Sequence, residues 1–270
     1  MMKRAFVIST CDLYSDCWKP LLLSIRQHWP DCPFPIYMIT NHKDCDDDLV
    51  TTIKVGEHLG WGSNTKKALP QIDCDYLLYI QEDFFLNKDV NTKGILEDFD
   101  FCESNNVDYL RVMPPFKDKY PYLENPSYCY DANEIFKFKE HAMNLMAVIW
   151  KKSTLERLCI EGWTGWDYER KVLSYIKDNN INIKKCVIRS EENNRLGLPV
   201  MESTGIRKGI WTREGYDYLK KNGFDKEAKS RKVEGKLLTW CMKQDTNKFL
   251  RVPTAILIRV IQWFNKKIVC

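Results

Sequence analysis

The segment YLLYIQEDFFL, Tyr76 to Leu86, places two acidic residues between two strongly apolar stretches. Five apolar residues precede Gln81 and three follow Asp83. A solvated turn ordinarily contains Gly, Asn or Pro, and the first of these after the acids is Asn87. The pattern therefore predicts a buried strand that ends in carboxylates held by apolar neighbours. Such an arrangement presents charge to a specific partner, and a divalent cation is the first candidate.

The segments before this strand predict an α/β fold. Residues 4–10, RAFVIST, have the β-branched character of a strand, and residues 18–29, WKPLLLSIRQHW, have apolar residues at helical spacing. Residues 34–40, FPIYMIT, form a second strand pattern. Strand, helix and strand within about 40 residues indicate a βαβ unit with parallel strands.

Later segments continue the alternation. Further strands are predicted within DYLLYI (75–80), VDYLRVMPP (107–115), MNLMAVIW (143–150) and NIKKCVI (182–188). Further helices are predicted to begin near Thr65, in KKSTLERLC with a capping box at Ser153 and Glu156, and in WDYERKVLSYIKDN (166–179). The aromatic, proline-bearing segment from Pro114 to Tyr130 is predicted to be a loop.

Composition excludes several classes of protein. The chain has 270 residues, of which 44% are hydrophobic and 29% charged, which is typical of a soluble globular protein. A net charge of +4 is too small to favour nucleic acid as a partner. Eleven cysteines without a C-x-x-C pair, beside four histidines, predict reduced thiols rather than a zinc site. P-loop, dinucleotide-binding and G-x-S-x-G motifs are absent from the sequence.

The order and spacing of four segments resemble bacterial family-2-like glycosyltransferases with the GT-A fold, which assemble capsule, O-antigen or lipopolysaccharide sugars. The segments are DLYSDCWKPLLLSIRQHWPDCPFPIYMIT (12–40), LGWGSNTKKALPQIDCDYLLYIQEDFFL (59–86), GWDYERKV (165–172) and IRKGIW (206–211). The resemblance implies a Rossmann-like nucleotide-binding half with a mixed central sheet and helices on both faces. We expect one catalytic domain over 1–225, with a nucleotide-sugar half at 1–95 and an acceptor half at 96–225, followed by a tail at 226–270.

The resemblance also implies roles for residues at the donor site. Asp83 matches the metal ligand that closes the acidic triplet, and Glu82 matches the acid that contacts the ribose or assists the metal. Gln81 departs from the pattern, because the first acid is missing. Thr10, Cys11 and Asp12 stand where this fold meets the base and ribose. The implied ligands are Mn²⁺ or Mg²⁺ and a nucleotide-sugar donor, with a UDP-sugar favoured.

The second candidate site is EGWTGWDYER, residues 161–170. An inverting transferase needs a carboxylate that takes the proton of the acceptor hydroxyl, with aromatic rings nearby for sugar faces. Asp167 fits that role, and Glu169 is the alternative. Thr164 and Asp167 also have the spacing of a helix capping box, and the tryptophans would equally suit a core.

Basic residues supply further candidates for the diphosphate. Arg207 and Lys208 lie between two glycines in GIRKGIW, where two cations can offset the charge of a leaving diphosphate. Lys67, beside Lys66, follows GWGSN at the expected start of a helix. Solvated basic surfaces are the alternative for both pairs.

The C-terminal segment, residues 247–270, predicts a basic amphipathic helix. It is too short, and is interrupted by Arg259, so it cannot span a bilayer. We expect it to lie on an anionic membrane surface, which would make the protein cytoplasmic and peripheral on the inner face of the plasma membrane. Packing against the protein body or a second subunit, as in a homo-oligomer, is the alternative.

The sequence therefore predicts a hexosyltransferase-like enzyme that moves a sugar to a hydroxyl of a glycan or lipid-linked acceptor, with inversion. Two rivals remain open at this point. A nucleotidyltransferase would attack the α-phosphate and release pyrophosphate, although the Gly-rich basic loop typical of that class is absent. A catalytically silent nucleotide-sugar-binding subunit, docked through the tail, is compatible with Gln81 at the first acidic position.

Overall fold

The computed structural model describes residues 2–112, 129–131, 143–183, 185–188, 195–196 and 204–236. The chain divides into two compact units, Met1–Val200 and Met201–Cys270. The predicted C-terminal helix and most of the predicted aromatic loop lie outside the described residues. The predicted division into 1–95, 96–225 and 226–270 stays a prediction.

The first unit contains a mixed sheet of eight strands. The strands are β1 (Arg4–Ser9), β2 (Ile36–Thr40), β3 (Thr51–Lys54), β4 (Tyr76–Gln81), β5 (Tyr109–Arg111), β6 (Cys129–Asp131), β7 (Val148–Lys151) and β8 (Lys185–Ile188). Their order across the sheet is β3-β2-β1-β4-β7-β5-β8-β6. β1 to β4 are mutually parallel, as the βαβ pattern predicted for β1 and β2, and β7 runs antiparallel to β4 and β5.

Helices cover both faces of this sheet. They are α1 (Trp18–His28), α2 (Trp61–Ala68), α3 (Thr92–Asn105), α4 (Lys152–Leu158) and α5 (Gly165–Asp178). On one face, Leu77 and Tyr79 of β4 share a core with residues of α2, α4 and α5. On the other, the rings of Phe6 and Trp29 lie 5.4 Å apart at the end of α1, and the Tyr76 hydroxyl donates to the Cys102 carbonyl of α3 at 3.1 Å.

Two predicted helix starts are wrong. Helix α2 begins at Trp61, four residues before the predicted start near Thr65. Helix α4 begins at Lys152, and its N-cap residue Lys151 makes no side-chain capping bond, so the predicted capping box at Ser153 and Glu156 is absent. The Lys152 backbone N–H donates instead to the Asp75 carbonyl at 2.9 Å. A contact distant in sequence therefore replaces the local cap at α4.

The second unit contains a small hairpin followed by two helices. Strands β9 (Ile206–Arg207) and β10 (Ile210–Trp211) pair antiparallel, and α6 (Arg213–Lys221) and α7 (Asp225–Ala228) follow. Lys208 and Gly209 form the turn with φ values of 51° and 79°. Within the described ranges of both units, no helix combines the length and apolar character needed to cross a membrane.

Candidate functional site

The candidate donor residues lie together at one edge of the sheet. Ser9, the last residue of β1, pairs with Gln81, the last residue of β4, and Ile39 of β2 pairs with Ser9 on its other side. The segments that leave these strands therefore begin at the same edge. In open α/β sheets, ligands bind in the crevice outside the carboxyl ends of the strands.

The acidic turn has the character that the sequence predicted. The Phe84 N–H donates to the Gln81 carbonyl at 3.3 Å, which closes a tight turn around Glu82 and Asp83. Asp83 is 6% exposed, and Phe84 is buried. Beyond it, the Leu86 N–H donates to the Ser24 hydroxyl at 3.0 Å. Packed residues on both sides thus hold the two carboxylates in place.

The end of β1 approaches this turn. The Thr10 hydroxyl accepts a hydrogen bond from the Trp18 indole at 2.9 Å, which fixes the chain direction after the strand. Burial raises the pKa of the Cys11 thiol, and the negative charge of Glu82 raises it further. Because Ser9 and Gln81 are cross-strand partners, the segments that carry Cys11 and Glu82 leave neighbouring strands at the same level of the sheet. The predicted nucleoside-contacting segment and the acidic turn therefore border one crevice.

Asp12 connects two loops at this edge. Its carboxylate accepts hydrogen bonds from the backbone N–H groups of Asn41, His42 and Lys43 at 3.0 to 3.2 Å. Burial alone would raise the pKa of Asp12, but these three bonds together lower it. The Asn41 carboxamide in turn accepts from Asp12 N–H at 3.2 Å and donates to the Gly56 carbonyl at 2.8 Å. Sequence reasoning missed Asn41, although its place directly after β2 was a visible signal.

The start of α2 packs against the loop that leads into α5. The Gly62 N–H donates to the Trp163 carbonyl at 2.9 Å, and the Gly162 N–H donates to the Ser63 hydroxyl at 2.9 Å. A Cβ atom at Gly62 would lie 2.0 Å from the Ile160 carbonyl oxygen, so only glycine fits there. The second segment of the sequence resemblance is thus in direct contact with the residues that immediately precede the third.

This arrangement changes the expected position of the α2 lysines. Lys66 and Lys67 lie in the last turn of α2 rather than at its start. The free N–H groups of the helix start therefore cannot bind the same phosphate as these two lysines. The Lys66 ammonium lies 3.3 Å from the Glu161 carboxylate, and Lys67 is exposed. The predicted role of Lys67 toward phosphate stays a prediction.

Asp167 caps helix α5. Its carboxylate accepts from the Thr164 backbone N–H at 3.2 Å, and its own N–H donates to the Thr164 hydroxyl at 3.1 Å, which completes a capping box. The Lys171 ammonium lies 2.7 Å from the other carboxylate oxygen. The bond with Lys171, followed by the bonds with Thr164, holds the pKa of Asp167 far below its usual value. A carboxylate with so low a pKa is a weak base.

Glu169 reaches a different group. Its Oε1 accepts a hydrogen bond from the Leu145 backbone N–H at 3.1 Å, and the residue is half-buried. Leu145 belongs to the segment that leads into β7, where Ala147 has a φ of 30°, a strained value for a residue with a side chain. Local sequence patterns contain no signal for this strain.

The aromatic residues around α5 have different environments. Tyr168 is fully buried, with its ring 4.9 Å from that of Trp61. The Trp163 ring lies 5.4 Å from Tyr175. Trp166 is 60% exposed. The sequence was compatible with both core and sugar-stacking roles for these rings. Of the three, only Trp166 is exposed enough to offer most of its ring to a sugar.

In the second unit, Arg207 and Lys208 also differ. The Arg207 guanidinium lies 2.6 Å from the Glu234 carboxylate, which is 1% exposed. Lys208 is exposed in the tight turn between β9 and β10. Arg207 therefore already has an internal partner of opposite charge, and Lys208 lies at the turn of the hairpin.

The residues of the acidic turn suit a hard divalent cation. Glu82 and Asp83 offer carboxylate oxygens, which Mn²⁺ and Mg²⁺ accept, and the buried position of Asp83 restricts its motion. Within the described part of the chain, no group of three or more His, Cys, Asp or Glu residues is arranged to hold a metal by itself. Two protein carboxylates agree with a site whose remaining positions are filled by substrate phosphates and water.

Comparison with known proteins supports the fold. No protein-family model and no curated protein matches the chain. Among solved structures, the mannosyltransferase PcManGT from Pyrobaculum calidifontis, in complex with GDP-Man and Mn²⁺, has a TM-score of 0.50 and 11% identity over 77% of this chain and 58% of that one. S. aureus TarS 1-349 in complex with UDP-GlcNAc has a TM-score of 0.42 and 12% identity over 91% and 72%.

A cytidylyltransferase from Leptospira borgpetersenii has a TM-score of 0.43 and 13% identity over 87% of this chain and 100% of that one. The chain spans 35% to 58% of the length of the first solved structures that it matches. The likeness to PcManGT carries the fold comparison. Together with the observed strand order, it shows that the chain has the GT-A fold, a Rossmann-like α/β architecture with a mixed central sheet.

Proposed function

We propose that the chain is an inverting glycosyltransferase that moves a hexose-type sugar from a nucleotide-diphosphate sugar to a hydroxyl of a glycan or lipid-linked acceptor. One observation carries the proposal: the Asp12 loop and the acidic turn leave the neighbouring strands β1 and β4 at their carboxyl ends, where Gln81 faces the first residue of α5. A UDP-sugar is the favoured donor, and cell-surface polysaccharide synthesis is the proposed pathway.

The donor side of the crevice uses the segments after β1 and β4. Thr10, Cys11 and Asp12 contact the base and ribose, on a loop that Asn41 fixes. Asp83 and Glu82 would hold Mn²⁺ or Mg²⁺, which would supply positive charge to offset that of the departing diphosphate.

The acceptor side uses Glu169. In the reaction the acceptor oxygen forms a bond to the anomeric carbon, the bond from that carbon to the diphosphate oxygen breaks, and the acceptor proton passes to a carboxylate. Glu169 suits that step better than Asp167, because the bonds with Lys171 and Thr164 lower the pKa of Asp167 and commit its carboxylate to the helix cap. The nucleoside diphosphate leaves as the second product.

Basic residues assist the diphosphate in this proposal. Arg207 and Lys208 are the candidate cations of the second unit, and the buried carboxylate of Glu234 already pairs with Arg207. Arg207 then orients the β9–β10 turn that presents Lys208. Lys67 remains a weaker candidate for the same charge, since it lies at the end of α2.

The proposed location is the cytoplasmic face of the plasma membrane, where a lipid-linked acceptor would be available. The predicted C-terminal helix is one means of attachment. The second unit offers another, because residues 204–236 contain ten Lys and Arg against five Asp and Glu. Lys226, Lys229 and Lys232 are among its exposed residues. Juxtamembrane lysines contribute about 1 kcal/mol each to binding at an anionic surface.

The test is thermal unfolding with UDP, GDP, CDP and ADP, each with Mn²⁺ or with a chelator. A ligand that binds only the folded state raises the melting temperature. We expect one diphosphate to do so only with Mn²⁺, and Asp83→Ala to abolish the shift. Asp178→Asn, which changes an exposed acid at the far end of α5, is the matched control and should leave the shift intact.

Three further results would decide against the proposal. If no nucleoside diphosphate changes the melting temperature, the donor site is wrong. With nucleotide sugars and candidate acceptors, release of the nucleoside diphosphate indicates glycosyl transfer, whereas release of pyrophosphate from a nucleoside triphosphate indicates a nucleotidyltransferase. Binding of nucleotide sugar without turnover under any of these conditions would favour the catalytically silent subunit.

A further inference from the structure

We infer that Gln81 hydrogen-bonds a hydroxyl of the transferred sugar and selects the donor through it. The inference rests on the proposed function and explains the departure at the first position of the acidic triplet. In this assignment, Glu82 and Asp83 alone serve the metal and diphosphate. Gln81 is then a specificity residue and not a weakened metal ligand.

The direction of the Gln81 side chain is the first observation. Alternate residues of a strand point to the same face of the sheet. Leu77 and Tyr79 of β4 pack in the core shared with α2, α4 and α5, and Gln81 is the next residue of that alternation. Its Nε2 lies 3.8 Å from the position of a Cβ atom built on Gly165, the first residue of α5. The carboxamide thus faces the start of α5.

The chemistry of the reaction says what must occupy that place. The transferred sugar is joined to the diphosphate through its anomeric carbon. The acceptor hydroxyl attacks that carbon from the opposite side, next to the carboxylate that takes its proton. Gln81 directly precedes Glu82 and Asp83 in the chain, and its carboxamide faces the helix whose second turn carries Glu169. The carboxamide is thus next to the diphosphate-binding acids along the chain and on the face of the sheet where α5 carries the proposed base.

A carboxamide is well suited to a sugar hydroxyl. It both donates and accepts hydrogen bonds and carries no charge, whereas a carboxylate only accepts and competes for the metal. Gly165 contributes no side chain beside it. The nearest atoms to a Cβ at Gly165 are Leu145 Cδ1 at 3.4 Å and Gln81 Nε2 at 3.8 Å, so one methyl group can be added there without a clash.

The part of β4 that carries the Gln81 side chain is rigid. Ser9 is the cross-strand partner of Gln81, and Tyr79, two residues earlier on the same face, is fully buried. Burial raises the pKa of Tyr79, while hydrogen bonds with Ser9 and Trp61 offset part of that rise. The Trp61 indole donates to the Tyr79 hydroxyl. A recognition group on a packed strand is held more accurately than one on a loop, which favours discrimination between sugars.

Titration calorimetry of the full chain with Mn²⁺ tests the inference. The probes are UDP and GDP on one side and UDP-glucose, UDP-GlcNAc and GDP-mannose on the other. For the pair that the wild-type protein binds, we expect Gln81→Ala to raise the Kd of the nucleotide sugar about 3- to 10-fold, the loss of one hydrogen bond. The Kd of the matching nucleoside diphosphate should change by less than about twofold.

Gly165→Ala provides a second probe at the same place. The added methyl group fits the protein but occupies space beside the carboxamide, so the nucleotide sugar should again bind more weakly than the diphosphate alone. The melting temperature of the free protein should not fall, because alanine favours the helix more than glycine does. If both variants bind the nucleotide sugar with the same affinity as the wild-type protein, the inference is wrong.

Gln81→Glu separates the sugar from the metal. If Gln81 faces the sugar, restoring the acid that is missing from the first position of the triplet should leave the Mn²⁺-dependent binding of the diphosphate unchanged. The residue serves the metal if Gln81→Glu makes diphosphate binding more dependent on Mn²⁺. The same conclusion follows if Gln81→Ala weakens the binding of diphosphate and of nucleotide sugar equally. If the wild-type protein binds no diphosphate, both the proposed function and the inference are wrong. If it binds the diphosphate but the Gln81 variants discriminate between sugars as the wild-type protein does, only the inference is wrong.

Discussion

Asp12 and Asn41 hold each other through two reciprocal hydrogen bonds, from Asn41 N–H to the Asp12 carboxylate at 3.0 Å and from Asp12 N–H to the Asn41 carboxamide at 3.2 Å. The same carboxamide donates to the Gly56 carbonyl at 2.8 Å. Because these residues follow β1, β2 and β3, one side chain fixes three loops at the proposed nucleoside site. The shape of that site therefore depends on Asn41 as much as on the residues that would touch the ligand.

Asn41→Ala should lower both stability and nucleotide affinity. Asn41 is 4% exposed, so its removal leaves the Asp12 N–H and the Gly56 carbonyl without their partner. Such a loss costs about 2 to 3 kcal/mol of the free energy of unfolding. Urea denaturation measures that cost, and calorimetry with the diphosphate measures the affinity. Asn87→Ala, at an exposed position, is the control and should change neither quantity.

Glu169→Gln and Asp167→Asn should have opposite effects. The glutamine side chain keeps an oxygen that can accept the Leu145 N–H, so the fold should remain while the transfer rate falls on the order of 100- to 10,000-fold. Asp167→Asn loses the attraction of Lys171 and weakens the capping box, so the melting temperature should fall while transfer continues. Rates and melting temperatures are measured for both variants.

A reversal of that result would assign the base to Asp167. The kcat of Glu169→Gln would then stay close to that of the wild-type protein, and Asp167→Asn would lose activity at temperatures well below its melting point. Both variants should keep Mn²⁺-dependent diphosphate binding, since neither residue belongs to the acidic turn. A loss of that binding in Glu169→Gln would mean that the Leu145 contact supports the donor site.

Acid should remove the stabilising effect of Asp167. The folded protein lowers the pKa of this carboxyl below its ordinary value of 3.8, so the charged form is favoured by folding. The resulting stabilisation is complete above pH 3.8 and is lost progressively as the pH falls toward the lowered value. The difference in melting temperature between wild type and Asp167→Asn should therefore be constant from pH 5 to 7 and shrink below pH 4. A difference independent of pH would exclude the ionic contribution.

The part of the fold predicted from sequence is the part that local patterns determine. β1, α1, β2 and β4 were recognised because each has apolar residues at the spacing of one element and is bounded by polar residues. β3, with a single buried residue in Thr51–Lys54, has no such pattern and was missed. The GT-A fold followed from the resemblance of ordered segments rather than from any one motif.

The unpredicted features depend on contacts distant in sequence. The start of α2 is set where Gly62 meets Ile160 and Trp163, about 100 residues away along the chain. The pairing of Arg207 with Glu234 likewise joins residues that no local pattern relates. The two candidate bases differ because Lys171 lies one turn after Asp167, whereas Glu169 reaches the Leu145 backbone. Sequence alone marked both carboxylates and could not rank them.

Gly62→Ala should damage the contact between α2 and the loop before α5. The new Cβ would lie 2.0 Å from the Ile160 carbonyl oxygen, a backbone atom that cannot rotate away. Separation of the two segments should lower the free energy of unfolding by at least about 2 kcal/mol, as overpacking in a core does. Denaturant unfolding measures the loss. Gly165→Ala, whose Cβ meets only ordinary contacts, is the matched control, and equal stabilities of the two variants would contradict the proposed packing.

Attachment of the protein to an anionic membrane should depend on the exposed lysines of the second unit as well as on the tail. Lys226, Lys229 and Lys232 are exposed, and each contributes about 1 kcal/mol when it lies near anionic headgroups. We therefore expect the full chain to sediment with phosphatidylglycerol vesicles, to be released at high salt because the attraction is screened, and to ignore phosphatidylcholine vesicles. Replacement of all three lysines by glutamate should abolish binding. If only Trp263→Ala with Phe264→Ala abolishes it, the tail acts alone, and if neither set matters, the protein does not use this surface.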